Sequence, residues 1–298
     1  MLISLNHALI QGVRFGADAL YSGENRIGGA MMTAWLNPDS IKVDEKKQKV
    51  KVQVYDEDGA LIRTYHTQLD TGMNRTYWNM RMDGVRSPSR REVKPDDDLP
   101  SGPEVMPGTY KLVFSFDTYK DSTMVKVHAD PRIEVDMEDL EANMEVYQEY
   151  YGYVTKATEA FEQLREAGKS IKMVETMAAN MEEEEKKEMM KEIKAIKKSL
   201  TAVEDQFVGP DDVPKGQPRP DDYFTRTLRG PGRYMGSMQG GATQAVSRMM
   251  DLVKTELTEM LEEVDHFFMN DFAKFKEMVE QQGEPPVFKP YEAVKIDK

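Results

Sequence analysis

The chain contains no cysteine. That excludes disulfides, thiolate metal sites and cysteine nucleophiles, while leaving the compartment open, because exported proteins also do without cysteine. Histidine is scarce. His7, His66, His128 and His266 fall on different predicted elements and none is four residues from another, so the spacing of a helical metal motif is missing. No apolar run approaches the roughly 20 residues that a membrane span requires, so no membrane insertion is expected. The opening MLISLNHALIQG has neither a Lys/Arg-bearing first segment nor a small-residue cleavage site. It therefore does not read as a signal peptide, and such an opening fits a piece of a longer chain as well as a whole one. The sequence has no GxSxG, P-loop, HExxH or Rossmann fingerprint. The aspartates at 96–98, with Asp211, Asp212, Asp221 and Asp222, offer oxygen ligands, but no DxDxDG loop with a twelfth-position glutamate accompanies them, which leaves calcium as a side alternative. No catalytic residue, no metal ligand and no cofactor is nominated.

What is present points to two folded units. A chain of 298 residues exceeds the usual single domain, and its net charge of −13 repels duplex nucleic acid and anionic membrane surfaces alike. Neither is expected as a partner.

Residues 30 to about 130 alternate with the period of strands. Val50, Val52 and Val54 point one way and Lys49, Lys51 and Gln53 the other, followed by Asp58-Gly59, a hairpin signal. Further strands are predicted at 30–36, 75–82, 109–116 and 123–129, with Pro107-Gly108 as the central pair of a type II turn. Short strands with turn chemistry between them predict an antiparallel sandwich of the immunoglobulin or fibronectin kind over residues 13–132, after an N-terminal segment, 1–12.

From Asp136 the period changes. Leu140, Met144, Tyr147, Tyr151, Val154, Phe161 and Leu164 make one helical seam, which Gly168 is expected to end, with Ser170 capping the next helix. That second helix carries Ile171, Val174 and Met181, then Met189, Ile193, Ile196, Leu200 and Val203, with EEEEKK (182–187) interrupting its seam. A third helix, about Thr243 to Gln282, carries Val253, Leu257, Met260, Val264 and Phe267. These predict an antiparallel three-helix domain over 133–283 with a long Pro/Gly-rich loop at 208–240, then an extended tail, 284–298. The overall class is α+β in separate domains.

Two stretches carry candidate contacts. In GMNRTYWNMR, Gly72 permits a tight turn and Asn74 can mimic a backbone turn, while alternation places Thr76, Trp78 and Met80 opposite Arg75, Tyr77, Asn79 and Arg81. Trp78 is expected to fill a sandwich core, and the aromatic side chains in general, Trp35 included, are expected to serve internal packing. In the 208–240 loop, Arg219, Arg226, Arg229 and Arg233 interleave with Tyr223, Phe224 and Tyr234, the composition of a protein-binding hot spot. Arg86, Arg90, Arg91 and Lys94 precede the aspartates 96–98 and read as a solvated loop that neutralises itself.

The order of landmarks resembles a known family. ENRIGGAMMTAWL, a Val-rich strand ending in DEDGALIR, GMNRTYWNMR, GPEVMPGTYKLVF (with Pro107, Gly108 and Tyr110), VHADPR, a DLEAN helix start and a closing VDHFFMNDFAKFKEMVEQQGEPPVFKPYE follow one another as in the C-terminal region of sortilin-like or BNR-repeat, glycosyl hydrolase-like β-propeller proteins of exported bacterial type. The resemblance runs from about Val13 onward. It implies a periplasmic or extracellular setting and a neighbouring propeller that would carry any hydrolytic residues. The family commonly has Asp where this chain has Asn79, so no carboxylate role carries over at that position. The function expected is a non-catalytic accessory module that docks a β-propeller or another protein. Carbohydrate binding through Tyr77 or Trp35 is the alternative, and a fragment of a glycoside hydrolase-like enzyme is the second. A homodimer and a monomer fit the pattern equally.

Overall fold

A computed structural model describes residues 27–37, 48–94, 96–132, 134–211, 213, 223–236, 241–281 and 288–296. The chain is α+β, with antiparallel sheets followed by helices, and it divides into two compact units. The first comprises residues up to Gly84 together with Asp98–Asp136; the second comprises Val85–Asp97 and Met137 onward. A thirteen-residue stretch from the sheet half of the sequence thus belongs to the helical unit.

In the sheet unit, β2 (Gln48–Tyr55), β3 (Leu61–Leu69), β7 (Gly108–Phe116) and β8 (Tyr119–Val127) form one four-stranded sheet in the order β3-β2-β7-β8. β1 (Ala30–Leu36) pairs with β4 (Gly72–Trp78), and the short β5 (Arg81–Asp83) pairs with β6 (Ser101–Glu104). The β2–β3 turn is closed locally: Gly59 takes φ +82°, and the Asp56 carboxylate accepts from the Ala60 amide at 2.7 Å. Alternation then buries Val52, Val54 and Leu112 from the larger sheet against Met32 and Trp78 from β1 and β4. Each of these fully buried aliphatics contributes about 1.5–3 kcal/mol. Trp78 meets Tyr110 edge-on with ring centres 5.2 Å apart, and its indole N–H donates to the Arg81 carbonyl.

Pro107-Gly108 does not form the expected type II turn. Gly108 lacks the positive φ that such a turn requires and instead begins β7. The bend is fixed by the Tyr110 hydroxyl, which donates to the Met106 carbonyl at 2.7 Å. On the outer edge of β3, the Thr64 and His66 amides donate to the carboxylates of Asp83 (3.0 Å) and Asp98 (2.9 Å). Side chains thereby fill two edge positions that another strand would otherwise seek.

The helical unit contains α1 (Met137–Ala178), α2 (Glu183–Val208), α3 (Phe224–Met235), and α4 (Gln244–His266) continuing through a π-helical segment (Phe267–Phe272) into α5 (Ala273–Gln281). The expected break at Gly168 does not occur, and α1 runs for 42 residues. A glycine inside a helix costs about 1 kcal/mol. Here the bare Cα admits α2, because a methyl group at 168 would stand 3.3 Å from the Leu200 side chain. Ile171 and Val174 consequently belong to the first helix, and the chain reverses at 179–182, ahead of the acidic run.

Among the described residues no helix is long and apolar enough to cross a membrane.

Candidate functional site

Among the described residues of the sheet unit, the β1–β4 ladder carries the two most exposed large apolar side chains, Met73 and Trp35. Its register sets Met31 opposite Tyr77, Thr33 opposite Arg75 and Trp35 opposite Met73. The strand period of two sends Met32, Thr76 and Trp78 inward and these six outward. Glycines set both ends of the ladder. Gly29 holds φ +115°, where a Cβ would collide with the Trp78 carbonyl at 2.4 Å, and Gly72 holds φ +91° beneath the indole of Trp35. The turn leading into β4 is tied by Asn74, whose amide oxygen accepts from the Asp70 amide (2.8 Å) while its nitrogen donates to the Asp70 carbonyl (2.6 Å).

The expectation that Trp35 is packed inside is corrected: it is 68% exposed, flanked by Met73 at 75% and Met31 at 56%. Alternation alone puts residues 31, 33 and 35 on a common face. Only the inward-facing side of the ladder meets the core, so their side stays open. Arg75 reaches across the ladder toward the Met31 sulfur, 3.8 Å away. The face thus combines a flat indole, a half-buried phenol, a guanidinium and two pliable thioethers, residue types that protein interfaces favour.

A second surface lies on α3. Its residues were expected in a loop, yet they form a helix despite Pro231. Folding it splits the predicted set. Phe224 turns inward, edge-on to Phe207 at 5.8 Å, and Tyr223 packs on Gly209, where a Cβ would stand 2.9 Å from its ring. Arg226, Arg229, Arg233 and Tyr234 remain exposed, at steps of three, four and one that keep them along one side of the helix. Arg219 lies outside the described residues, as do His7, Asp212, Asp221 and Asp222.

Within the basic run at 86–94, Arg86 donates to the Asp97 carbonyl at 2.7 Å, but Arg90 finds its partners outside the loop. Arg90 bonds Glu204 (2.8 Å), Asp205 (2.5 Å) and the Gly209 carbonyl (3.1 Å), all on or just beyond α2. Burial raises the Glu204 pKa even with this arginine beside it. Partners more than a hundred residues away in sequence carry no local signal.

The sheet unit also contains a polar cluster that sequence reasoning missed. Arg63 is buried, donates to the Met82 carbonyl (2.7 Å) and to Ser101 Oγ (3.1 Å), and lies 3.7 Å from Asp83. His66 Nδ1 bonds Asp98 at 2.6 Å. Burial raises the Asp83 pKa; burial also acts to raise that of Asp98, but the bonds from His66 outweigh it and leave the value lowered. Both carboxylates are engaged by the β3 backbone, and Ser101 is engaged by Arg63 and by Asn79 at 2.9 Å, so the cluster braces an edge. Nearby, Arg81 pairs with Glu104 across β5 and β6.

On the helical unit a cleft of about 530 Å³ is lined by Glu256, Glu259, Glu262 and Glu263 of α4 around Phe224 and Met260. Gln206 of α2 completes its rim, and the four carboxylates make it an acidic surface. Among the described residues no three His, Asp or Glu side chains converge as a metal site requires. Asp97 accepts from the Lys94 amide at 3.1 Å and Asp98 holds His66. His128 and His266 are exposed. No protein-family model, curated protein or solved structure matches the chain.

Proposed function

We propose that the chain is a non-catalytic interaction module whose sheet unit docks a protein partner through the outer β1–β4 face. The observation that carries this reading is the open indole of Trp35 between the exposed side chains of Met31 and Met73. Leaving a tryptophan and two methionines in water forgoes several kcal/mol of burial, which a partner surface would recover. Arg75 and Tyr77 add the polar anchors found in hot spots. The arginine side of α3 offers the helical unit a second, electrostatic contact.

In this reading the sheet unit is an immunoglobulin- or fibronectin-like sandwich. Support comes from the single core shared by the β1–β4 ladder and the four-stranded sheet, and from the Tyr110 hydroxyl bonded to the backbone four residues upstream, as in a tyrosine corner. The helices α1, α2 and α4–α5 form an antiparallel three-helix bundle, supported by the four-residue reversal at 179–182 and the long buried seams. The resemblance to the region that follows the propeller in sortilin-like proteins makes such a propeller the partner of choice and an exported setting the place to find it.

Titrating the chain with a sortilin-like β-propeller from the same organism tests this. Saturable binding that falls at least tenfold on Trp35→Ala, with the thermal midpoint unchanged, is expected. Equal binding by the variant would remove the proposed face from the contact. A carbohydrate platform is the second reading, favoured by the placement of Trp35, Tyr77 and Arg75 on one face. A glycan that shifts Trp35 emission in the isolated chain would bring that reading forward.

A further inference from the structure

The most unusual local geometry in the helical unit is the π-helical turn FFMNDF between α4 and α5. A π turn inserts one residue into the helical register, costs hydrogen-bond quality, and recurs where a side chain must be re-aimed. Here it gathers Phe267, Phe268 and Phe272 into mutual contact, with ring centres 5.2 to 5.8 Å apart. The C-terminal segment 288–296, which forms neither helix nor strand, lies over these rings. Tyr291 stacks on Phe268 at 4.0 Å with planes 10° apart, and Phe288 meets Phe272 edge-on at 5.6 Å.

The polar contacts around the rings engage both the backbone and the side chains of the segment. The Gln163 side chain clasps the Glu292 backbone as a neighbouring strand would, donating to its carbonyl (2.8 Å) and accepting from its amide (2.9 Å). The Tyr291 hydroxyl donates to Asp265, and Lys289 pairs with Glu166 at 2.5 Å. That lysine, together with Lys169, lowers the Glu166 pKa. Main-chain clasp, aromatic slot and charge pair sit at successive positions along one groove.

The segment itself is a surface ligand and not part of the core. None of residues 288–296 is buried; Phe288, Tyr291, Val294 and Ile296 are only half-covered, and the residues between them are exposed. The floor beneath is different, for Phe268 and Phe272 are both buried. Lifting the segment would uncover these aromatic rings without opening the seams of α1, α2 and α4, so the groove calls for a cover whose identity its geometry specifies.

We propose that this groove is an exchange site: besides its own tail it accepts the C-terminal segment of a second copy of the chain, producing a tail-swapped dimer. A second copy offers the Phe-Lys-Pro-Tyr-Glu register that the groove already fits, and exchange replaces each contact by an identical one. The equilibrium is then set by chain concentration against the effective concentration of the tethered tail.

Complementation tests this. One full-length variant, Phe288→Ala/Tyr291→Ala, keeps the groove and loses the tail anchors; another, Gln163→Ala/Asp265→Ala, keeps the tail and weakens the groove. Mixed in equal amounts at about 50 μM and sedimented, they are expected to form a heterodimer at least tenfold more populated than any dimer of either alone, since only the mixture joins a sound tail to a sound groove. A mixture that sediments as the sum of its parts overturns the proposal. Should either variant lose its fold, the surface change Lys289→Glu replaces it, with a fluorescein-labelled peptide of residues 286–298 as the probe. Uptake several-fold above that of the unaltered chain supports exchange, and equal uptake overturns it.

Discussion

Both units leave methionines exposed, but they place their aromatic rings differently. The sheet unit has a small core centred on Trp78 and leaves Met31, Trp35 and Met73 in solvent on one ladder face. The helical unit directs its seams and nearly all its aromatic rings inward, and lays a half-covered strip of tail over Phe268 and Phe272. The difference teaches where association is encoded: a two-stranded ladder has two faces but only one core to face, whereas helices packed on several sides can cover every seam.

The largest expected effect that sharpens this contrast is Trp78→Ala. Removing the buried indole should cost the sheet unit about 3–5 kcal/mol. In chemical denaturation followed by far-ultraviolet circular dichroism, the helical transition should stay in place while the sheet transition moves. A shift of both transitions together would break the picture of separate cores. Arg90→Ala is the reciprocal change. It leaves Glu204 and Asp205 without their shared cation and should cost the helical unit about 2 kcal/mol, between the values for exposed and for buried pairs, with the sheet transition unmoved.

A smaller effect concerns acid. The pKa of Asp98 is lowered in the folded chain, so the stability it supplies is present above the ordinary aspartate value of 3.8 and is lost as pH falls through the lower folded value. Asp83, raised by burial, has the opposite sign: its contribution is favourable at low pH and is lost as pH rises through its folded value. Asp98→Asn should therefore flatten the acid limb of the sheet-unit stability profile, and an unchanged limb would show that the His66 pair carries no linkage. The smallest effect is spectroscopic. Acrylamide should quench two tryptophan populations, an accessible one lost in Trp35→Ala and a shielded one from Trp78.

Much of the fold is legible in local pattern. The Val50–Val54 alternation, the Asp58-Gly59 hairpin and the seam of the last helix depend on neighbours in sequence and have their counterparts in the structure. What could not be read depends on distant partners. Gly168 looks like a terminator until Leu200 is seen against it. Arg90 looks solvated until α2 brings two carboxylates to it. The candidate contacts were legible in part: residue types in GMNRTYW and around 223–234 drew notice, but which of them stay outside is decided by packing. Phe224 and Trp78 went in, and Trp35 stayed out.

The assignment of Val85–Asp97 to the helical unit bears on how the protein can be made or divided. During synthesis this strip leaves the ribosome before any helix it lies against, so its arginine must wait for α2 while the sheet strands close. Severing the polypeptide between Asp136 and Met137 would separate Arg90 from Glu204 and Asp205, giving a helical piece with an uncompensated acidic spot and a sheet piece with an orphaned strip. The unit that folds is thus not the unit that a single cut can release.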